Sequence, residues 1–162
     1  MMNRAELFAF LDANGIAHRT SEHRAVFTVG ESAGVKGAIA GAHTKNLFLK
    51  DKKGALWLVS AGDEARIDLK ALSSVLGAAR FSFAGEGLLA SALGVTPGSV
   101  TALALVNDPG HAVAFALDAA LWRASHVNFH PLVNTATTTL AQADFRRFLE
   151  VVGVTPRLVE FA

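Results

Sequence analysis

The apolar residues of this chain come in many short runs, and turn-forming residues interrupt almost all of them. The runs at 55–61 and 112–117 have the length of a strand and are rich in aliphatic residues. Helical spacing is clear near the two ends of the chain, over 3–14 and 139–152. This pattern predicts an α+β fold, a curved mixed sheet of about six or seven strands flanked by helices.

The two terminal helices carry capping signals. Asn3 is followed three residues later by Glu6, an N-x-x-E variant of the capping box. Thr139 is predicted to cap the last helix, with Gln142 as its partner and Gly153 as the stop. Shorter helices are predicted over 68–76, 86–93 and 119–122, with a loose glycine-rich helix over 27–41.

Strands are predicted where apolar or β-branched residues alternate or cluster between turn residues. The segment Asp51-Lys52-Lys53-Gly54 predicts a hairpin turn. The predicted strands are 18–22, 45–50, 55–61, 79–82, 103–107, 112–117, 125–129, 134–138 and 157–161, the last of them at a sheet edge.

Composition limits the chemistry that the chain can perform. The 162 residues have the length of one domain, 1–162, and 51% of them are hydrophobic, as in globular proteins. Cysteine is absent, which excludes disulfides, thiolate catalysis and cysteine-ligated zinc. No segment has the continuous apolar core of a signal peptide or a membrane span, so we expect a cytoplasmic protein without membrane contact. The net charge of +1 predicts that any binding of RNA is modest and depends on a few local basic residues.

Six histidines raise the question of a metal site. His126 and His130 are four residues apart in a strand-like stretch and would share a face, but no third ligand stands out. We therefore expect no metal and no cofactor. A Ser-His-Asp triad stays open on spacing alone, although G-x-S-x-G is missing, and the loop G-V-T-P-G-S at 94–99 lacks the lysine of a phosphate loop.

Two segments are unusual for ordinary structure. In the first, A-H-T-K-N-L-F-L at 42–49, Lys45 enters an apolar strand, which a solvated lysine at a strand end would also explain. In the second, N-F-H-P-L-V-N-T-A-T-T-T-L at 128–140, hydroxyl and amide side chains crowd beside a His-Pro turn. A turn before a helix cap explains only part of that density.

These segments resemble the signatures of the YbaK/prolyl-tRNA synthetase-associated editing-domain family. G-V-T-P-G-S-V-T-A-L at 94–103 and L-V-N-D at 105–108 are also similar to that family, and the likeness runs in order from about 20 to 160. Within the family, the chain is most similar to the free-standing alanyl-tRNA(Pro) deacylases. The family fold is an α+β domain with a curved mixed sheet.

The resemblance implies hydrolysis of the ester that joins alanine to the terminal adenosine of proline tRNA. Lys45 matches the family lysine, which would stabilise developing negative charge, and Asn46 would orient the substrate. His130 matches the His-Pro position and would hold the ribose end or the loop. Thr137 would position water or close the pocket. The family is thought to use the substrate's own ribose hydroxyl to activate water.

The same resemblance implies a second sieve, a pocket that admits alanine and excludes proline by size. Its predicted walls are Phe27, Val29, Ile39 and Leu47, each equally explained as core, with Gly98 and Ser99 also at the substrate. The segment 30–41 would be a gate over the site.

Lys50 and Arg80 are expected contacts to the acceptor stem, although a solvated surface role explains them equally well. The expected partner is the acceptor end of tRNA(Pro), with prolyl-tRNA synthetase or an elongation factor as further candidates. Two alternatives stay open: deacylation of another ester, such as cysteinyl-tRNA(Pro) or a seryl or threonyl ester, and a non-catalytic module that binds tRNA or a synthetase.

Overall fold

The computed structural model of the chain describes residues 1–25, 34 and 37–161. Most of the loose helix and gate predicted within 27–41 lies outside these residues, and so do Phe27 and Val29 as pocket walls. None of the helices in the described ranges is long and apolar enough to cross a membrane.

The described strands form one mixed sheet, in which β4 pairs with β2 beside the main path β1-β7-β6-β2-β3-β5-β8. The pairs β2–β6, β3–β5 and β5–β8 are parallel, and the other pairs are antiparallel. The α+β fold class is therefore confirmed, with eight strands. The strands are β1 (Arg19–Glu22), β2 (Ala42–Asp51), β3 (Leu56–Gly62), β4 (Phe81–Phe83), β5 (Val113–Asp118), β6 (His126–Phe129), β7 (Ala136–Ala141) and β8 (Arg157–Val159).

Five described α-helices flank the sheet, and the predicted capping box begins the first of them. Asn3 Oδ1 accepts from the Glu6 amide at 2.9 Å, and Glu6 Oε1 accepts from the Asn3 amide at 3.1 Å. The helices are α1 (Arg4–Ala13), α2 (Leu69–Leu76), α3 (Glu86–Leu93), α4 (Ala119–Arg123) and α5 (Gln142–Val152), with 3₁₀ turns at Pro97–Ser99 and Ala102–Asn107.

Hydrophobic clusters cover both faces of the sheet. The larger cluster packs α1, α3 and α5 against one face, where Phe48 and Phe129 are buried. The smaller cluster packs α2 against the other face, around Leu49, Trp57 and Val59. Phe48 and Leu49 are neighbours on β2, so the alternation of side chains along that strand separates the two cores.

Two predictions of secondary structure are wrong. The segment 103–107 is a 3₁₀ helix rather than a strand, because Thr101 Oγ1 accepts from the Leu103 amide at 3.2 Å and begins a helical turn. The last helix begins at Gln142 rather than at Thr139. The threonines belong to β7, which pairs with β1 and β6 and continues as far as Ala141. The side chain of Ala141, the residue before the helix, provides no cap.

Candidate active site

The strands β2 and β6 run side by side for only two residue pairs and then separate. Ala42 pairs with Val127, and His43 pairs with Asn128. Beyond these pairs, the Thr44 hydroxyl donates to the Asn128 carbonyl at 2.7 Å. Further along the same edge of β2, β4 pairs with residues 49–51. Between β6 and β4, the edge of β2 from Lys45 to Leu47 borders a gap in the pairing of the described strands.

Lys45 and His130 lie on the same face of the sheet at this gap. Paired residues share a face and side chains alternate along each strand, so residues two positions beyond His43 and Asn128 point to the same side. Asn128 also pairs with Thr139, which brings the odd-numbered threonines of β7 to this side. We call this group the site face; its members are His43, Lys45, Asn128, His130, Thr137 and Thr139.

Lys45 is half-buried, and its ammonium donates to the carbonyl oxygen of Ala65. An ammonium has three N–H donors, so this bond leaves two without a partner among the described residues. Ala65 and His43 also line a cavity of about 440 Å³ that opens beside the site face. Lys45 itself does not line that cavity; it is a positive charge held by a backbone carbonyl beside the gap in strand pairing, with donors available for an incoming oxygen.

His130 is held in one tautomer by the backbone. Its Nδ1 lies 3.1 Å from the Ala136 carbonyl oxygen, which can only accept, so Nδ1 carries the proton and Nε2 keeps its lone pair. Burial lowers the pKa of His130 below its usual 6.5; the Ala136 bond opposes this shift and the neighbouring His23 adds to it. The ring is therefore neutral near pH 7, with an Nε2 that accepts a proton from a hydroxyl or a water.

Asn128 ties the site face to the chain that enters β2. It is 2% exposed, and its Nδ2 donates to the carbonyls of Ala40 at 3.1 Å and Ala42 at 3.3 Å. Its Oδ1 accepts from the Thr139 hydroxyl at 2.6 Å. Gly41 lies against this amide, and a Cβ at that position would come within 3.0 Å of Asn128 Nδ2.

The structure places Asn46 on the opposite face of β2 from Lys45. Asn46 Oδ1 accepts from the Ser60 hydroxyl, and its Nδ2 donates to Thr44 Oγ1 at 3.2 Å. These bonds continue through Thr44 to the Asn128 carbonyl and so join β3, β2 and β6. Asn46 borders the same gap as Lys45, but its side chain does not converge with those of Lys45 and His130.

The other predicted site residues lie at different distances from this gap. Leu47 is half-buried and packs against the smaller core, and Ile39 accepts at its carbonyl from His43 Nε2 at 2.8 Å. A Cβ on Gly98 would lie 3.2 Å from Asn134 Nδ2, so this loop abuts the loop that follows His130. Ser99 is buried in the 3₁₀ turn, where its amide donates to Thr96 at 2.9 Å.

The two basic residues assigned to the acceptor stem lie near each other at the far end of β2. Lys50 pairs with Ser82, and Arg80 precedes Phe81, the partner of Asp51. Both side chains are exposed. Asp51 is six positions after Lys45 along the strand, which corresponds to about 20 Å.

His23 is a site residue that has no predicted role from the sequence. This residue follows β1, and its Nε2 lies 2.8 Å from the Thr137 hydroxyl on the site face. The alternation of β1 places His23 on the side of Ser21, which pairs with Thr137. That signal becomes visible only when the pairing of β1 with β7, across more than a hundred residues, is known.

A family model matches most of this chain. The model of the aminoacyl-tRNA editing domain matches residues 23–148, a range that begins at His23 and contains Lys45 and His130. The chain belongs to the aminoacyl-tRNA editing domain family. The resemblance drawn from the two sequence segments is thereby confirmed.

Two relatives illustrate this membership of the editing-domain family. Prolyl-tRNA synthetase associated domain-containing protein 1 of Danio rerio is 40% identical over 160 residues, which cover 98% of this chain and 87% of the relative. Prolyl-tRNA editing protein ProX of Acetoanaerobium sticklandii is 34% identical over 155 residues, 95% of this chain and 94% of the relative.

Solved structures show the same fold as this editing-domain chain. The crystal structure of hypothetical protein APE2540 has a TM-score of 0.73 at 18% identity and is matched over 98% of this chain and 99% of its own. A candidate trans-editing enzyme for prolyl tRNA synthetase has a TM-score of 0.71 at 20% identity, over 99% and 98% of the two chains.

Proposed function

We propose that this protein is a trans-acting deacylase that hydrolyses alanyl-tRNA(Pro) and spares prolyl-tRNA(Pro). The observation that carries the proposal is that a fixed ammonium, Lys45, and a neutral imidazole, His130, lie on one face of the sheet beside the gap in strand pairing. The relative named a prolyl-tRNA editing protein supports proline tRNA as the carrier.

The chemistry is attack of water on the ester carbonyl carbon, followed by departure of the ribose oxygen with a proton. Negative charge develops on the carbonyl oxygen in the tetrahedral intermediate, where the free donors of Lys45 stabilise it. His130 Nε2 accepts from the ribose hydroxyl or from the attacking water and so orients it. The substrate hydroxyl would assist in activating the water, as the resemblance to the family implies, and the absence of cysteine from the chain leaves no thiol nucleophile for the reaction.

Selectivity between alanine and proline would come from size. A pocket that fits a methyl side chain excludes a pyrrolidine ring by steric clash, which discriminates more strongly than the loss of a contact. The proposed walls of this pocket are Ile39 and Leu47, which the structure describes, together with Phe27 and Val29, which lie outside the described residues.

The activity class is tested by incubating the purified protein with tRNA(Pro) carrying alanine or cysteine and with seryl and threonyl esters of their own tRNAs. We expect release of alanine to be fastest. Faster release from one of the other esters would transfer the assignment to that substrate. Tight binding of charged tRNA without any hydrolysis would support the non-catalytic module instead.

A further inference from the structure

Three consecutive threonines of β7 have hydroxyl partners of different kinds. Thr138 pairs with the Thr20 hydroxyl at 2.8 Å, and Thr139 donates to the Asn128 amide oxygen at 2.6 Å. Those two bonds link neighbouring strands. The Thr137 hydroxyl instead lies 2.8 Å from Nε2 of His23, a ring nitrogen that can accept a proton. This difference separates Thr137 from its neighbours.

Two backbone carbonyls fix the position of His23. Its amide donates to the Thr135 carbonyl at 2.9 Å, where the pairing of β1 with β7 ends. Its Nδ1 lies 2.8 Å from the Arg24 carbonyl oxygen. A carbonyl oxygen only accepts, so Nδ1 carries the proton, and in the neutral ring Nε2 is left with a lone pair. The Thr137 hydroxyl therefore donates to His23.

This direction of the bond determines where the Thr137 oxygen can act. With its proton directed to His23, the oxygen has only lone pairs to offer to other groups. Thr137 and His130 both belong to the site face. The site face thus presents two acceptors, Thr137 Oγ1 and His130 Nε2. The bond from His23 Nδ1 to a carbonyl fixes the first, and the bond from His130 Nδ1 to a carbonyl fixes the second.

We infer that His23 is a positioning residue: it accepts the Thr137 proton and so turns the Thr137 oxygen into a hydrogen-bond acceptor for the attacking water or the ribose hydroxyl. This inference rests on the proposed function. His23 forms no bond to the substrate and acts through Thr137 alone. The acceptor on Thr137 aligns the reacting O–H, and its loss reduces the rate of the chemical step more than it reduces binding.

Kinetic variants test the inference directly. We expect His23→Ala to lower kcat about tenfold, the scale of one hydrogen bond, with a much smaller change in KM. His23→Gln provides a carbonyl acceptor near the Nε2 position and should recover most of kcat. Thr137→Val should match His23→Ala, and the double variant should be no worse than Thr137→Val, because one interaction links the two residues. Thr20→Val, which alters the adjacent threonine pair, is the matched control and should retain kcat.

Wild-type kcat in His23→Ala, or equal losses in His23→Ala and Thr20→Val, would overturn the inference. A second measurement, nitrogen NMR of the His23 ring in its neutral form, is independent of the substrate. It should show the proton on Nδ1, and the Nε2 resonance should shift in Thr137→Val. A proton on Nε2 would overturn the inference as well. If the wild-type protein hydrolyses no ester, the proposed function fails, and the NMR result still decides the His23–Thr137 bond.

Discussion

Lys45 and His130 each lie two residues beyond the last paired residues of β2 and β6, and both side chains project from the same face of the sheet. The Thr44 hydroxyl donates a hydrogen bond to the Asn128 carbonyl where the strands separate. Parallel strands that diverge at their carboxyl ends leave a crevice between them, a frequent location for ligands in open sheets. Lys45 therefore owes its position to a regular strand, which holds side chains more precisely than a loop does, and His130 directly follows the end of β6.

The ammonium of Lys45 is expected to be essential for deacylation. Lys45→Ala removes the charge that stabilises the carbonyl oxygen in the transition state, so kcat should fall by about 10²–10³-fold. Single-turnover release of alanine measures this loss. Lys52→Ala, in the exposed hairpin after β2, is the matched control and should keep wild-type rates. Comparable activity in the two variants would remove Lys45 from the mechanism.

His130 should make folding stability depend on pH. The unfolded chain binds a proton at this residue near pH 6.5, whereas burial lowers the pKa in the folded protein. As pH falls through the interval between the two values, the unfolded state binds more protons and stability decreases, by at most about 1.4 kcal/mol per pH unit for one site. Urea unfolding from pH 7.5 to 5 should show a shallower decline for His130→Gln. Identical pH dependence in the two proteins would contradict the assignment.

Gly41 should tolerate no side chain. Its φ is +104°, and an added Cβ would approach Asn128 Nδ2 to 3.0 Å. We expect Gly41→Ala to lower the free energy of unfolding by about 2 kcal/mol, from backbone strain and displacement of the buried amide. Gly110→Ala, where no neighbouring atom lies within 4 Å of the added Cβ, should change stability by less than about 0.5 kcal/mol in the same urea titration. Equal effects would mean that Gly41 is not constrained.

Asn128 should contribute mainly to stability. Asn128→Leu leaves the Ala40 and Ala42 carbonyls and the Thr139 hydroxyl without their partner, which should cost about 1–3 kcal/mol in unfolding free energy. Thr139→Val removes one of these bonds together with its donor and should cost less. The reverse order in chemical denaturation would show that Thr139, rather than Asn128, organises this network.

Lys50 and Arg80 should act on tRNA affinity rather than on the chemical step. Both are exposed near the far end of β2, and Lys50 lies five positions along the strand from Lys45, about 17 Å away. We expect Lys50→Ala and Arg80→Ala to raise KM, leave kcat near the wild-type value and reduce the salt dependence of kcat/KM, because each loses a phosphate or base contact. If KM and the salt dependence were unchanged in both variants, Lys50 and Arg80 would be ordinary surface residues without a role in tRNA binding.

Local signals in the sequence predicted the elements that depend on near neighbours. The capping box of Asn3 and Glu6 and the helix begun by Asp68 form as expected, because their bonds join residues two or three positions apart. Thr139 shows the limit of that reasoning. It has the residue type of a helix cap, but pairing with Asn128 and Arg19 keeps it in a strand.

The site was predicted in part for the same reason. Lys45 and His130 were identified by resemblance of short segments, and only the pairing of β2 with β6 shows that they share a face. Asn46 is adjacent to Lys45 in sequence, yet strand alternation turns it to the opposite face. His23 was missed because its partner, Thr137, lies in a strand far along the chain.

The most direct test of the account compares two substrates that differ only in the amino acid, alanyl-tRNA(Pro) and prolyl-tRNA(Pro). With purified wild-type protein, we expect kcat/KM for release of alanine to exceed that for proline by at least about 100-fold, since a pocket sized for a methyl group excludes the pyrrolidine ring. Equal rates of release, or faster release of proline, would contradict the assignment of this chain as an alanine-specific editing enzyme.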